Sequence, residues 1–359
     1  DLSFHGEKIA IFYEFNFGSY PYYKGYNVSF PVNGGLPQNC NITAHLEIAK
    51  KNITDETPAN FDGLGIIDFE EWRPLFDQNG YGSKQVFQNE SIGQIKRDNA
   101  ILLDNQVKEL AAKAFNESAR EFFLKTIQEA KNLRPKAKWG FYGFPYCNYN
   151  AGKEIGDYEC SKQYRDWNDR MSFLFNASDA LYPSIYLGFN ATSEQRVRYI
   201  HAIINEARRI SRKYKPPLPI YAYTKIEYDP LKKLNDFYDK NDLCASITQP
   251  ANMGVDGIIF WSASANMTQR CQYIKKYMER WNWKSTSTFS LVKKIKEEHD
   301  LCRRQRCREH GKCILSHNTT CTVPFALPHG DCSCDCDYGY EGEYCSMMVT
   351  TTPVTAKEN

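Results

Sequence analysis

The chain of 359 residues is 42% hydrophobic and 25% charged, and its 45 Lys and Arg against 43 Asp and Glu leave a net charge of +2. That composition excludes a disordered chain and belongs to a folded protein that fills its own core without oligomerising, so a monomer is expected. The near balance of charge excludes the basic stripe of a nucleic-acid binder, and any attraction for a polyanion has to be local.

At this length one large domain with a small appendage is expected, because an α/β barrel alone takes about 250 residues. Thirteen cysteines, eight of them crowded between Cys302 and Cys345, point to an oxidising compartment and so to secretion. Nine Asn-x-Ser/Thr sequons, at Asn27, Asn41, Asn52, Asn89, Asn116, Asn176, Asn190, Asn266 and Asn318, fit a glycosylated surface. No stretch approaches the roughly 18 apolar residues of a membrane span. No signal peptide precedes Asp1, so the sequence reads as a mature or trimmed form.

Apolar, β-branched and aromatic runs at 9–15, 64–69, 139–144, 180–189, 219–228 and 257–262 predict short buried strands. Helical patterns lie between most of them, at 44–51, 104–133, 164–175, 193–213 and 267–281. This alternation predicts an α/β fold, either a doubly wound sheet or a barrel, with parallel strands whose ends gather polar and aromatic residues on one face. From Cys302 onward the pattern turns to Cys, Gly, His and Asp, a separate disulfide-stapled module, and the last residues are a Thr-rich tail without hydrophobic periodicity.

The most telling segment is Gly63-Leu-Gly-Ile-Ile-Asp-Phe-Glu-Glu-Trp-Arg-Pro74, an apolar strand that ends abruptly in acids, an indole and a guanidinium. Strand residues two apart point the same way, so Asp68 and Glu70 share a face if the strand runs that far. Like charges this close raise at least one pKa and leave a carboxylic acid able to donate to a leaving oxygen. Neighbours on one strand cannot flank a scissile bond as the acid and nucleophile of an ordinary glycosidase do. The nucleophile then comes from elsewhere, and the economical candidate is an N-acetyl carbonyl of the substrate, with Asp68 orienting it. A plainer account is that these acids cap the next turn or pair with Arg73.

Several motifs in order resemble the hyaluronidase family, over residues 9–345: Phe12-Tyr13, Tyr20-Pro-Tyr-Tyr23, Gly34-Gly-Leu-Pro-Gln-Asn39, Asp68-Phe-Glu-Glu-Trp-Arg-Pro74, Trp139-Gly-Phe-Tyr-Gly-Phe-Pro145, Leu181-Tyr-Pro-Ser-Ile-Tyr186 and Ile259-Phe-Trp261. The resemblance implies a distorted (β/α) TIM-like barrel at 1–297, an epidermal-growth-factor-like module at 298–348 and the tail at 349–359. It implies an endo-acting hydrolase of β-1,4 bonds that follow N-acetylhexosamine in hyaluronan, with chondroitin as a second substrate. Retention of configuration, no cofactor and no metal are implied as well. The role would be degradation of extracellular matrix, as by a venom spreading factor.

The same resemblance assigns Glu70 as proton donor, Asp68 as the partner that positions the acetamide and Tyr186 as the tyrosine that helps hold it. Tyr13, Tyr142, Ser184, Tyr223, Asp229 and Trp261 match groove and active-site positions, and Arg73 follows the motif as the family's arginine does. Aromatic residues suit such a groove because they offer rigid apolar faces to sugar rings. Each can also be ordinary packing, and Trp72 is expected to be just that. The sequence departs from the family's pattern at Tyr146-Cys-Asn-Tyr-Asn150, and at Glu71, Lys225 and Ser264. Lys225 adds a positive charge that would favour sulfated chondroitin by local attraction, unless it is a solvated lysine beyond the strand.

The spacing Cys302-x4-Cys307-x5-Cys313 and Cys334-x-Cys336-x8-Cys345 resembles an epidermal-growth-factor-like module. Its usual pairing joins Cys302 to Cys313, Cys307 to Cys334 and Cys336 to Cys345, leaving Cys321 and Cys332 to pair inside an enlarged loop. A zinc site competes poorly, because the C-x-C spacing lacks C-x2-C knuckles. The family resemblance also pairs Cys147 with Cys160. It gives Cys271 a partner on a first strand upstream of residue 1, a strand missing here. Cys40 and Cys244 are then expected to pair, unless Cys271 recruits one of them.

Two rival classes remain. One is a lectin-like or adhesion protein that binds a glycosaminoglycan without turnover, and the other a chitinase-like hydrolase. Retention of both Asp68 and Glu70 favours the hydrolase, and the spaced aspartates of a chitinase are absent.

Overall fold

The computed structural model describes residues 7–98, 101–280, 288–315 and 332–349. The chain divides into two compact units, Asp1–Phe144 with Lys162–Tyr182, and Pro145–Ser161 with Pro183–Asn359.

In the first unit three parallel strands lie side by side, β1 (Ile9–Tyr13), β2 (Leu64–Asp68) and β3 (Lys138–Phe141). The register pairs Ile9 with Leu64 and Tyr13 with Asp68, then Leu64 with Lys138 and Ile67 with Phe141. A parallel bridge between Tyr142 and Tyr182 extends the row by one segment. Parallel neighbours need long crossovers. These are α1 (Ile42–Glu56) between β1 and β2, and α2 (Gln85–Asp98) and α3 (Asp104–Leu133) between β2 and β3; α4 (Lys162–Arg170) and α5 (Ser172–Ala177) precede Tyr182.

Local chemistry explains these elements. Asn41 opens α1 by accepting the N–H of Ala44, which satisfies one orphan donor of the first turn. Along α3, Val107, Ala111, Phe115, Ala119, Phe122 and Phe123 recur at helical spacing and are all buried. A Cβ on Gly65 would stand 2.5 Å from the Trp139 ring, so only glycine lets that indole lie across β2. Tyr20 stacks on Trp72 with centroids 5.3 Å apart and planes 3° from parallel, and Phe69 meets Phe122 and Phe123 at 5.5 and 5.8 Å. Burying each such ring contributes about 1.5–3 kcal/mol. The packing role expected for Trp72 is what the structure shows: the ring is fully buried and its Nε1 donates to the Pro21 carbonyl at 2.8 Å.

In the second unit Ser184 bridges Tyr223 in parallel, and β4 (Tyr221–Thr224) pairs in parallel with β5 (Gly257–Phe260). The crossover before β4 is α6 (Ser193–Ser211), opened by a reciprocal cap between Thr192 and Gln195. After β5 come α7 (Met267–Arg280) and α8 (Thr288–Gln305). Two antiparallel pairs follow, β6 (Gly311–Leu315) with β7 (Cys332–Cys336) and β8 (Tyr340–Glu341) with β9 (Met347–Met348). Disulfides join Cys302 to Cys313, Cys307 to Cys334 and Cys336 to Cys345 around a small core that includes Leu315, and a further one joins Cys147 to Cys160. Such crosslinks compensate for an apolar core too small to hold by itself.

Several expectations are corrected. The run 180–189 makes no strand, only isolated bridges at Leu181, Tyr182 and Ser184, and Pro183 among them brings no N–H to a ladder. The helix expected at 164–175 breaks at Met171 into α4 and α5. α2 and α8 were not anticipated, and α8 runs unbroken across the expected 297/298 boundary. Cys40 keeps a free thiol that faces the Ser19 carbonyl, so the expected Cys40–Cys244 bridge is not made, although Cys244 is disulfide-bonded. Cys332 also has a free thiol, its sulfur 3.5 Å from that of Cys302, which is already bonded to Cys313; the expected Cys321–Cys332 bridge is therefore absent. Cys321, Asn318 and the tail from residue 350 lie outside the described residues. No helix among the described residues is long and apolar enough to cross a membrane.

Candidate active site

The strands of the first unit end on one row of functional side chains. Tyr13 closes β1 opposite Asp68, the last residue of β2, and Tyr142 follows Phe141, which pairs with Ile67. One step on in that register, Tyr142 lies level with Asp68, and its N–H donates to the Ile67 carbonyl at 3.0 Å. Residues level with one another in parallel strands share a face, so two tyrosines flank the carboxylate. β2 stops at Asp68, so the shared strand face expected for Asp68 and Glu70 is not formed. Asp68 is buried and Glu70, in the following loop, is exposed.

A network holds that loop. Phe69 anchors it among the core rings, and Arg73 is fixed by a pair of bonds with Asn79, N–H to Oδ1 at 2.7 Å and Nδ2 to the Arg73 carbonyl at 2.9 Å. Lys84 Nζ donates to the main-chain carbonyls of Glu70 and, at 2.9 Å, Glu71. Glu14, the residue after β1, is buried, and its N–H donates to the Asp68 carbonyl at 3.0 Å.

The electrostatics follow from this crowding. Burial, reinforced by the charges of Glu70 and Glu14 and opposed by Arg73, lifts the Asp68 carboxyl to about 8. Burial and then Glu70 raise Glu14 to about 7. Burial and then the Arg73 charge lower the Lys84 ammonium to about 8. Asp68 Oδ1 is buried without a hydrogen-bond partner, an arrangement that costs stability unless a ligand or proton satisfies it.

The second unit carries its own cluster. Tyr186 and Trp261 stack with centroids 6.0 Å apart and planes 25° from parallel. Lys225 Nζ lies over both rings, 4.2 Å from the Tyr186 centroid and 4.8 Å from that of Trp261. Trp261 follows β5 and donates its N–H to Thr224 at 3.0 Å, while Ser184 and Tyr223 share a backbone bridge. Asp229, an expected groove residue, pairs with Lys232 at 2.9 Å. A buried acid of this region is Glu227, which pairs with the buried Arg270 and accepts from the half-buried Ser262.

Among the described sequons, Asn27, Asn41, Asn89, Asn176, Asn190 and Asn266 are exposed. Asn52 and Asn116 are half-buried and spend their Oδ1 atoms on the N–H groups of Gly18 and Phe76. Glu14, Lys84, Glu227 and Arg270 escaped notice in the sequence. Only Glu14 left a signal, as an acid one residue past a strand end. Lys84 stands 14 residues from the carbonyl it serves, and Arg270 stands 43 residues from its partner.

Comparison with known proteins gives the family. A family model described as hyaluronidase matches residues 1–336. A chondroitin hydrolase of Caenorhabditis elegans is 34% identical, over 95% of this chain and 72% of its own. A hyaluronidase of Loxosceles intermedia is 31% identical, over 97% of this chain and 86% of its own. Among solved structures, bee venom hyaluronidase in complex with a hyaluronic acid tetramer superposes with a TM-score of 0.70 at 31% identity, covering 77% of this chain and 86% of that one.

Proposed function

Because this chain belongs to the hyaluronidase family, we propose that it is a glycoside hydrolase in which Glu70 and Asp68 divide the work of substrate-assisted cleavage at N-acetylhexosamine. The observation that carries this reading is the contrast between an exposed Glu70 and a buried Asp68 whose Oδ1 has no partner. Glu70 gives its proton to the glycosidic oxygen as the bond to C1 breaks. The acetamide carbonyl of the same sugar bonds to C1 from the opposite side, and its N–H finds an acceptor in Asp68, whose carboxylate form is favoured by the positive charge developing there. Water then attacks C1, Glu70 takes its proton, and two inversions leave the configuration retained.

Tyr186 is assigned the acetamide and Tyr13, Tyr142, Ser184, Tyr223 and Trp261 the sugar chain on the strength of the family match. Hyaluronan and chondroitin are the substrates, extracellular matrix their source, and no cofactor is required. The parallel strand and helix alternation in each unit supports a distorted (β/α) barrel, and the three crosslinks beyond Cys302 support an epidermal-growth-factor-like module. Secretion fits those disulfides and the exposed sequons.

The test is release of reducing ends from hyaluronan and chondroitin by the parent chain and by Glu70→Gln, which keeps the shape but has no proton to give. Even-numbered saturated oligosaccharides from the parent, with turnover lost and binding kept in the variant, are expected. Cleavage by Glu70→Gln at the parent rate removes Glu70 from its role.

A further inference from the structure

We propose that Lys84 is a positioning residue for this reaction: by binding the main-chain carbonyls of Glu70 and Glu71 with one ammonium, it turns the chain out of β2 and holds the proton donor where it can reach a glycosidic oxygen. The proposal rests on the assignment of Glu70 as donor and concerns how that residue is held.

The geometry carries it. Lys84 Nζ donates to the Glu70 carbonyl and, at 2.9 Å, to that of Glu71. Successive carbonyls of an extended strand point to opposite sides, so one ammonium meets both only where the strand has ended. The chain bends at Glu71 and Trp72. Had β2 run on through Glu70, that side chain would share the face of the buried Asp68; released from the strand, it is exposed. The neighbours of the donor are anchored separately. Phe69 packs against Phe122, the Trp72 N–H donates to the Tyr20 hydroxyl at 3.3 Å, and Arg73 is fixed by Asn79. Lys84 takes hold of the donor's own peptide.

The lysine is itself built in. It closes the turn Gly82–Lys84, which is entered at Gly82 with φ 58°, a left-handed conformation that glycine adopts freely. Its side chain is half-buried, with Nζ 5.6 Å from the centroid of the Tyr26 ring, and that ring meets Phe87 of α2 edge-on at 6.2 Å. The charges that face Lys84 are Arg73, Glu71, Glu70 and Glu14. At neutral pH the ammonium keeps its proton, and a charged donor makes both bonds stronger than a neutral one would. An acid on a loop gains rate from such restraint, because misplacement by about 1 Å can cost on the order of a hundredfold.

The experiment compares the parent chain with Lys84→Met, Lys84→Arg and Lys84→Gln on two substrates, at a temperature well below every thermal midpoint. One substrate is hyaluronan. The other is a hyaluronan oligosaccharide that ends in N-acetylhexosamine bearing a dinitrophenyl group, which leaves as the phenolate and needs no proton. Lys84→Met keeps the length of the side chain and loses both bonds, so kcat on hyaluronan is expected to fall about tenfold with KM within about twofold. On the dinitrophenyl substrate kcat/KM is expected to stay within about twofold of the parent, which a loss of fold or of general packing would not allow. Lys84→Arg keeps donors and charge and is expected to recover kcat to within about threefold. Should Lys84→Met not fold, Lys84→Gln takes its place: its shorter arm cannot span both carbonyls, so a smaller loss, again confined to hyaluronan, is expected. A parental kcat on hyaluronan in these variants, or an equal loss on both substrates, overturns the proposal. Glu70→Gln run alongside separates the two readings. If it cleaves hyaluronan at the parent rate, the donor assignment fails; if it is inert while Lys84→Met turns over as the parent does, only the role of Lys84 fails.

Discussion

Arg270 and Glu227 meet as a buried ion pair, Nη2 to Oε2 at 2.6 Å, with side-chain exposures of 0% and 2%. Arg270 spends its remaining donors on the carbonyls of Ala263 and Ala265 and on Ser262 Oγ, which itself donates to Glu227 at 2.8 Å. The pair therefore ties the loop after β5, which begins at Trp261, to the segment after β4.

Removing one partner leaves the other charge buried and alone. Arg270→Met is expected to destabilise the fold by about 3–5 kcal/mol, read as a drop in the urea or thermal midpoint. Glu227→Gln, which keeps an acceptor, should lose less. A midpoint unchanged in Arg270→Met would show that the pair carries no net weight.

The role proposed for Asp68 ties turnover to stability. A carboxyl whose pKa rises from an ordinary 3.8 to about 8 on folding holds its proton more tightly in the folded chain. Its contribution to stability is complete below about pH 4 and declines as pH climbs toward 8. Asp68→Asn should thus lower turnover, yet unfold at a higher temperature relative to the parent at pH 8 than at pH 4. Normal turnover in that variant would undo the acetamide role, and an equal midpoint difference at both pH values would undo the burial argument.

His45 works in the opposite direction. It is fully buried, its Nδ1 accepting from the Ser19 N–H at 2.9 Å and its Nε2 lying 2.9 Å from Thr126 Oγ1, and burial lowers its pKa to about 4. The folded chain keeps the ring neutral, so stability is complete above about pH 6.5 and falls as pH drops to 4. The His45 imidazole signals in an NMR titration should stay constant from pH 8 to 5. A midpoint near 6.5 would contradict this.

Lys225 is half-buried over two rings rather than a solvated lysine beyond the strand. A cation placed there attracts anionic sugars and rigidifies the Tyr186–Trp261 pair. Lys225→Met is expected to reduce cleavage of sulfated chondroitin about fivefold more than that of hyaluronan, and to weaken the inhibition by salt. Equal losses on both polymers would assign Lys225 to packing alone.

The alternation of β1, α1, β2, α3 and β3 was legible along the chain because apolar periodicity is a local property, and α3 runs over the residues its pattern predicts. So was the chemical promise of Asp68 and Glu70, since an apolar strand rarely ends in three acids and an arginine without cause. The strand's early end at Asp68 was not legible. It depends on Phe69 being drawn into rings contributed by α3, and on Lys84 holding the carbonyls of Glu70 and Glu71 that follow.

The resemblance to an epidermal-growth-factor-like module implied the three crosslinks beyond Cys302, where partners lie within 27 residues of each other. The pairing of Cys40 with Cys244, expected only as what the other assignments left over, is not made, because the distance of Cys40 from other sulfurs is set by tertiary packing. Family, reaction class and the two acids proposed for catalysis were therefore carried by the order of residues, which encodes which groups are present and how closely they follow one another. Which acid is buried, which lysine bends over the aromatic pair and which arginine locks the Trp261 loop were decided only in three dimensions. Burial and charge proximity between residues far apart in sequence leave no periodic trace in it.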